Sequence, residues 1–134
     1  MNTLEFLQRV LPDTGIYVTT VINPDEKPRQ RFFTSVERLA KAVIESDTEG
    51  DNTYYAISSF KRKGTRKKDN VLFTRLLALD VDCGPTKPYP SATDGVQALS
   101  DFVATMALPK PMVVFSGNGL HAYWTLDEAL PPEQ

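Results

Sequence analysis

The chain has 134 residues, and 15 Lys and Arg against 17 Asp and Glu give a net charge of −2 at pH 7. This length predicts one domain, residues 1–134, with a buried core, and the composition is ordinary for a globular protein. No stretch approaches the ~20 apolar residues that cross a bilayer, so we expect no membrane partner. A single cysteine, Cys83, excludes an internal disulfide and fits a reducing, cytoplasmic location.

The first predicted elements are a helix and a strand. Asn2 and Glu5 form a capping box, and the following apolar residues recur at helical spacing: Leu4, Leu7, Val10 and Leu11. Residues 12–15 end this helix. Residues 15–23 are rich in β-branched side chains and predict a strand.

A polar loop and a second helix follow. Residues 23–31 contain two prolines and predict a loop. Thr34 and Glu37 form a second capping box, which predicts an amphipathic helix to about Ser46 with one apolar stripe: Val36, Leu39, Ala40, Val43 and Ile44.

The middle of the chain predicts a turn at 48–52, one strand over 53–60 and a basic loop over 61–68. Residues 75–82 are almost all apolar until their two aspartates, which predicts a central buried strand.

The last third predicts a loop, a helix and a hairpin. Prolines punctuate residues 83–91, and residues 92–107 have helical periodicity. Strands over 112–116 and 121–126 close on a glycine-rich turn. The complete order predicts an α+β fold, a mixed β-sheet with flanking helices. Pro131-Pro132-Glu133-Gln134 is typical of a first helical turn, so we expect a fragment of a longer protein.

The basic loop concentrates positive charge in an otherwise acidic chain. Such a loop predicts one local anionic partner, a nucleic acid or a phosphate, although a solvated loop that only aids solubility is the alternative. The residues are Lys61, Arg62, Lys63, Arg66, Lys67 and Lys68.

Two aspartates end the apolar strand. Asp80 and Asp82 are two residues apart and should project from one face, while Val81 points to the core. Because neighbouring carboxylates repel each other, the pair favours a hard cation, Mg²⁺ or Mn²⁺, and could serve two-metal phosphoryl transfer. The alternative is a strand end with solvated acids.

The glycine-rich turn lies between Ser116 and the single histidine, His121. Asn118-Gly119 is typical of a two-residue hairpin loop, which would place Ser116 opposite His121 on one face. Phe115, Ala122, Val113 and Trp124 would then face the core. Glycines allow close backbone approach to a phosphate, and the hydroxyl and imidazole add donors, so the segment suits a triphosphate.

Other interpretations of this segment are weaker. A plain hairpin with an exposed histidine is the simplest alternative. A nucleophilic Ser–His pair normally uses a strained strand-to-helix elbow rather than a tight hairpin. The single histidine excludes two-histidine nickase chemistry.

Together these motifs resemble the archaeo-eukaryotic primase superfamily, in particular its phage and plasmid primase-polymerase branch. The resemblance covers about residues 54–126. It implies an RRM-like catalytic core beside an N-terminal α/β module. It also implies catalytic, metal-binding Asp80 and Asp82, a catalytic His121, and triphosphate contacts from Ser116, Gly117, Asn118, Gly119 and His121. The implied partners are nucleoside triphosphates, a DNA template and a helicase region in the same longer chain.

The chain departs from this family at its third motif, a further acid on a later strand. Asp127 and Glu128 follow the histidine strand directly, where we expect a turn, so neither is assigned that role. The third acid is expected beyond the end of the chain, and this fragment alone is expected to catalyse poorly.

Two other functions remain open. One is a non-catalytic nucleic-acid-binding replication-initiation module with the same fold. The other is a different Asp-x-Asp metal-dependent phosphoesterase, which would need no template.

Overall fold

The computed structural model describes residues 1–133, which form two compact units. The first comprises Met1–Leu76 and the residues from Leu126 onward, and the second comprises Leu77–Thr125. Within residues 1–133, no helix is long and apolar enough to cross a membrane.

The first unit begins with two helices and a three-stranded sheet. The order in this sheet is β2-β1-β3, and both pairings are antiparallel. The elements are α1 (Thr3–Val10), β1 (Tyr17–Ile22), β2 (Arg29–Phe33), α2 (Val36–Thr48), β3 (Asn52–Tyr55) and β4 (Ser58–Phe60).

The remaining elements are β5 (Val71–Asp82), α3 (Ala92–Thr105), β6 (Met112–Phe115) and β7 (Gly119–Leu130). The second sheet has the order β4-β5-β7-β6. The α+β class is therefore confirmed, but the mixed sheet is wrong. β5 and β6 run in the same direction, but they are not neighbours, because β7 lies between them. Each pair of neighbouring strands is antiparallel, so the sheet is antiparallel.

The helix starts test the capping predictions. The box at Asn2 and Glu5 is present, with each side chain accepting from the other residue's backbone N–H. The second box is wrong, because α2 is capped by Ser35, whose hydroxyl accepts from the Arg38 N–H at 3.2 Å.

Two strand predictions in the first unit are also wrong. Residues 29–31, predicted to be the end of a loop over 23–31, are the start of β2. This is an edge strand whose exposed polar residues lack an alternating apolar pattern. The single strand predicted over 53–60 divides at Ala56 and Ile57. Its halves enter different sheets, β3 pairing with β1 and β4 pairing with β5.

The apolar strand β5 is central in its sheet but not buried throughout. Val81 is buried, whereas the Leu77 side chain is 61% exposed. At the buried end of the strand, Gly95 of α3 lies against Val81 and Cys83. Apolar composition indicated the strand without indicating how much of it the helix covers.

The end of β7 differs from the sequence prediction. Asp127 and Glu128 lie within the strand, exposed, where a turn was expected. Residues 132 and 133 lie in a turn rather than in a first helical turn, and Gln134 lies outside the described residues.

The basic loop is held by one buried amide. Asn70 is fully buried, and its side-chain nitrogen donates to the carbonyls of Arg62 at 2.9 Å and Thr65 at 2.8 Å. Its side-chain oxygen accepts from the Arg62 N–H at 3.3 Å, and its backbone bonds to Lys61 and Lys67. The loop therefore has a defined conformation although its six basic residues are exposed.

Asn70→Ala is expected to lower the free energy of unfolding by about 2 kcal/mol, because the part-buried carbonyls of Arg62 and Thr65 lose their donor. Urea titration followed by circular dichroism measures this change. The control is Asn52→Ala, at an exposed asparagine, where we expect less than about 0.5 kcal/mol. Equal effects would mean that Asn70 does not hold the loop.

Candidate functional site

The hairpin between β6 and β7 turns at Gly117 and Asn118. Val114 lies opposite His121, and the Ser116 N–H donates to the Gly119 carbonyl at 3.0 Å. The predicted Asn118-Gly119 loop, with Ser116 opposite His121, is therefore wrong. The loop begins one residue earlier, and Ser116 lies opposite Gly119. The predicted partner His121 and the observed partner Gly119 are two residues apart on β7 and therefore share a face. Ser116 still lies on the same face of the sheet as His121.

The two glycines of this turn have different roles. Gly117 has φ +90°, a left-handed conformation that suits the first central position of a type II′ turn. A Cβ on Gly119 would instead overlap with the Val81 carbonyl oxygen and approach Asp82 Cα at 3.2 Å. Gly119 therefore allows close approach to β5, and it lies in β7 rather than in the turn.

Contacts between β5 and β7 define their direction. The Cys83 N–H donates to the Asn118 carbonyl at 3.0 Å, and His121 lies beside Asp80. Since residue numbers rise along one strand as they fall along the other, the two strands are antiparallel. This register brings the hairpin and the aspartate motif to the same end of β5.

Asp80 and His121 are in contact. His121 Nε2 lies 3.5 Å from Asp80 Oδ1, and the two side chains are 39% and 67% exposed. Both groups are thus reachable from solvent on one face of the sheet. Sequence reasoning assigned both residues to the site but did not predict this contact.

Tyr123 is a further residue at His121, and sequence reasoning gave it no role. Its hydroxyl lies 3.3 Å from His121 Nδ1, and the two rings meet edge to face at 6.2 Å. The imidazole is therefore bounded by a phenol at one nitrogen and a carboxylate at the other. Strand alternation could have found Tyr123, because residues two apart on β7 share a face.

Asp82 lies two residues beyond Asp80 and is exposed, with buried Val81 between them. Alternation along β5 puts the two carboxylates on one face. Within residues 1–133 no group of three acidic, histidine or cysteine side chains forms a metal cluster. The carboxylate pair is the donor set that these residues offer to a cation.

The opposite face of the hairpin is only partly buried. Ala122 is fully buried, as predicted for the core, and the Trp124 indole donates to the Pro109 carbonyl at 2.8 Å. Phe115 and Val113, also predicted as core, are 65% and 38% exposed. These two lie on edge strand β6, while α3 packs near Leu120 on β7.

The sequence-predicted residues fall into two groups. The aspartates, the turn residues 116–119 and His121 all belong to the second unit. The basic loop belongs to the first unit. Within the second unit, the structure brings the carboxylates together with the hairpin.

This arrangement has the donors and acceptors for a phosphorylated ligand with a cation. The exposed carboxylates can bind a hard divalent ion. The exposed turn at residues 116–118 can donate hydrogen bonds to phosphate oxygens, and His121 Nε2 can do so when Asp80 binds a cation instead. Comparison with protein-family models, curated proteins and solved structures finds no match to this chain.

Gly119→Ala is expected to lower the free energy of unfolding by about 2 kcal/mol, because the new methyl group overlaps with the β5 backbone. Gly117→Ala has open space and should cost about 1 kcal/mol through its left-handed conformation. Urea titrations of both variants test this order. A larger loss at Gly117 would contradict the close approach at Gly119.

Proposed function

We propose that this chain is a catalytic domain of the primase-polymerase type, a template-directed nucleotidyltransferase that serves phage or plasmid replication. Its core would be the RRM-like half of that fold beside an N-terminal α/β module. The observation that carries the proposal is the juxtaposition of Asp80 and His121, 3.5 Å apart, beside a glycine turn in one unit. The motifs described above support it independently of that distance.

The cations in this proposal are Mg²⁺ or Mn²⁺ at Asp80 and Asp82. Both carboxylates are exposed on one face, and the Asp82 carboxylate forms no ion pair with a cationic side chain of residues 1–133. Mg²⁺ commonly binds one or two carboxylates and completes its shell with water and substrate phosphates, so the pair fits it. A cation held by Asp80 and Asp82 would supply positive charge for the activation of a 3′-hydroxyl and for the departure of pyrophosphate.

The triphosphate would bind at the hairpin. The Ser116 hydroxyl and the backbone N–H groups of residues 117–119 would donate to phosphate oxygens, and His121 would donate from Nε2 once Asp80 binds the cation instead of the imidazole. Asp80 and Tyr123 contact the two ring nitrogens of His121 and restrict its orientation. Catalysis would then depend on positioning and on charge rather than on a covalent intermediate.

The basic loop would bind template phosphates. None of its six cations forms an ion pair with an acidic side chain of residues 1–133. Their charge is therefore free to neutralise a polyanion. A helicase region in the same longer chain is part of this proposal.

Asp80→Ala is expected to lower the rate of nucleotide addition at least about 100-fold, because the metals lose a ligand and His121 loses its contact with the carboxylate. Template-directed primer synthesis and extension, with Mn²⁺ or Mg²⁺, measure this in the longest natural protein that contains the chain. The matched control is Asp101→Ala on α3, also an exposed aspartate of the second unit, which should keep full activity.

Three results would refute the assignment. Wild-type-like synthesis by Asp80→Ala would exclude the aspartate as a ligand. Nucleic-acid binding without synthesis under either cation would identify a non-catalytic initiation module. Template-independent hydrolysis of simple phosphate esters would identify a phosphoesterase.

Replacing the four lysines of the basic loop by Gln is expected to reduce the slope of DNA affinity against salt concentration. The lysines are Lys61, Lys63, Lys67 and Lys68. Each lost phosphate contact lowers the slope of log affinity against log salt by about 0.7–0.9. Fluorescence anisotropy at several salt concentrations measures the slope. Neutralising Arg38 and Lys41, exposed on α2, should leave it unchanged. An unchanged slope in the loop variant would remove the loop from the interface.

A further inference from the structure

A groove lies beside the basic loop in the first unit. Its volume is about 650 Å³, within the ~300–1,000 Å³ typical of ligand pockets. It is bounded by β2, by the corner between β3 and β4, and by the loop, with these lining residues: Gln30, Ala56, Ile57, Ser58, Phe60, Gly64, Thr65, Arg66, Lys67 and Val71.

The groove combines an apolar floor with a cationic rim. We call its apolar lining residues the floor; they are Ile57, at the break between β3 and β4 and 36% exposed, together with Phe60 and Val71. Arg66 and Lys67 form the rim and are exposed. A phosphate ion alone would use the rim but not the floor, so a ligand that fills the groove has an apolar face beside its negative charge.

The groove has a fixed shape on the side of the loop. Gln30 on β2 contacts the loop at Arg66. With its amide oriented by the hydrogen-bond network, the Gln30 oxygen accepts from Arg66 Nε at 2.7 Å and from Arg66 Nη2 at 3.1 Å. The Lys67 N–H donates to the Thr65 hydroxyl at 3.1 Å, and Asn70 holds the base of the loop. A preformed wall reduces the entropy that a ligand must offset on binding.

We propose that this groove holds one unpaired base of a single-stranded nucleic acid, with its flanking phosphates on Arg66 and Lys67. A base has an apolar face and hydrogen-bonding edges, which match the apolar lining at Ile57 and the polar side chains of Gln30 and Thr65. Duplex DNA keeps its bases stacked and could offer only phosphates to the rim. The inference rests on the proposed function in one respect, that nucleic acid is the partner of the loop.

The test compares a short oligothymidylate with an abasic oligonucleotide of the same length and charge, by fluorescence anisotropy at fixed salt. The wild-type chain is expected to bind oligothymidylate about fivefold more tightly, because only that ligand buries the apolar face of a base against Ile57. Ile57→Ser should remove the preference while keeping affinity for the abasic strand. The control Ile44→Ser, at an apolar residue of α2 that is 50% exposed, should keep it.

A second measurement does not depend on a variant that folds. In methyl NMR spectra of the wild-type chain, the Ile57 signal should shift on addition of oligothymidylate, while the Ile44 signal should not. Equal affinity for the two oligonucleotides, or an unmoved Ile57 signal, would overturn the groove assignment. Loss of nucleotide addition in Asp80→Ala tests the proposed activity separately, so a base preference without synthesis would refute the polymerase and leave the groove standing.

Discussion

The candidate site depends on how closely β7 approaches β5 at Gly119. At this position there is no space for a side chain, because the Val81 carbonyl occupies it. That approach lets Cys83 bond to Asn118 and sets the register that puts Asp80 beside His121. A side chain at residue 119 would have to push the strands apart, and the carboxylate and imidazole would separate with them.

The two faces of this part of the sheet have different environments. One face packs α3 over Val81 and Leu120, where even Gly95 leaves no room for a methyl group beside Cys83. The other face carries Asp80, Asp82 and His121 in contact with water. Since an ionised carboxylate is costly to bury and cheap to hydrate, the open face can carry adjacent negative charges. A cation would reduce their repulsion, which is why the proposed function places a metal there.

Local sequence signals predicted the elements whose structure is decided locally. The Asn2–Glu5 capping box, the periodicity of α2 and α3 and the prolines of residues 83–91 all correspond to observed features. Failures occurred where a partner strand decides the outcome. The exposed edge strand β2 has no apolar alternation of its own, and residues 53–60 divide because β1 and β5 each pair with half of them. The N-cap of α2 moved by one residue because Thr34 and Ser35 are chemically similar caps.

The sequence by itself determined the residue types of the candidate site, their alternation along β5 and β7, and the concentration of charge at 61–68. Those properties are local, since strand geometry makes residues two apart share a face in any fold. Only the tertiary structure decided the hairpin register, the contact between Asp80 and His121, and the groove beside the basic loop. Each of these depends on contacts between segments that are distant in the sequence. The steric fit at Gly119 and the burial of the Asn70 amide arise only from such contacts.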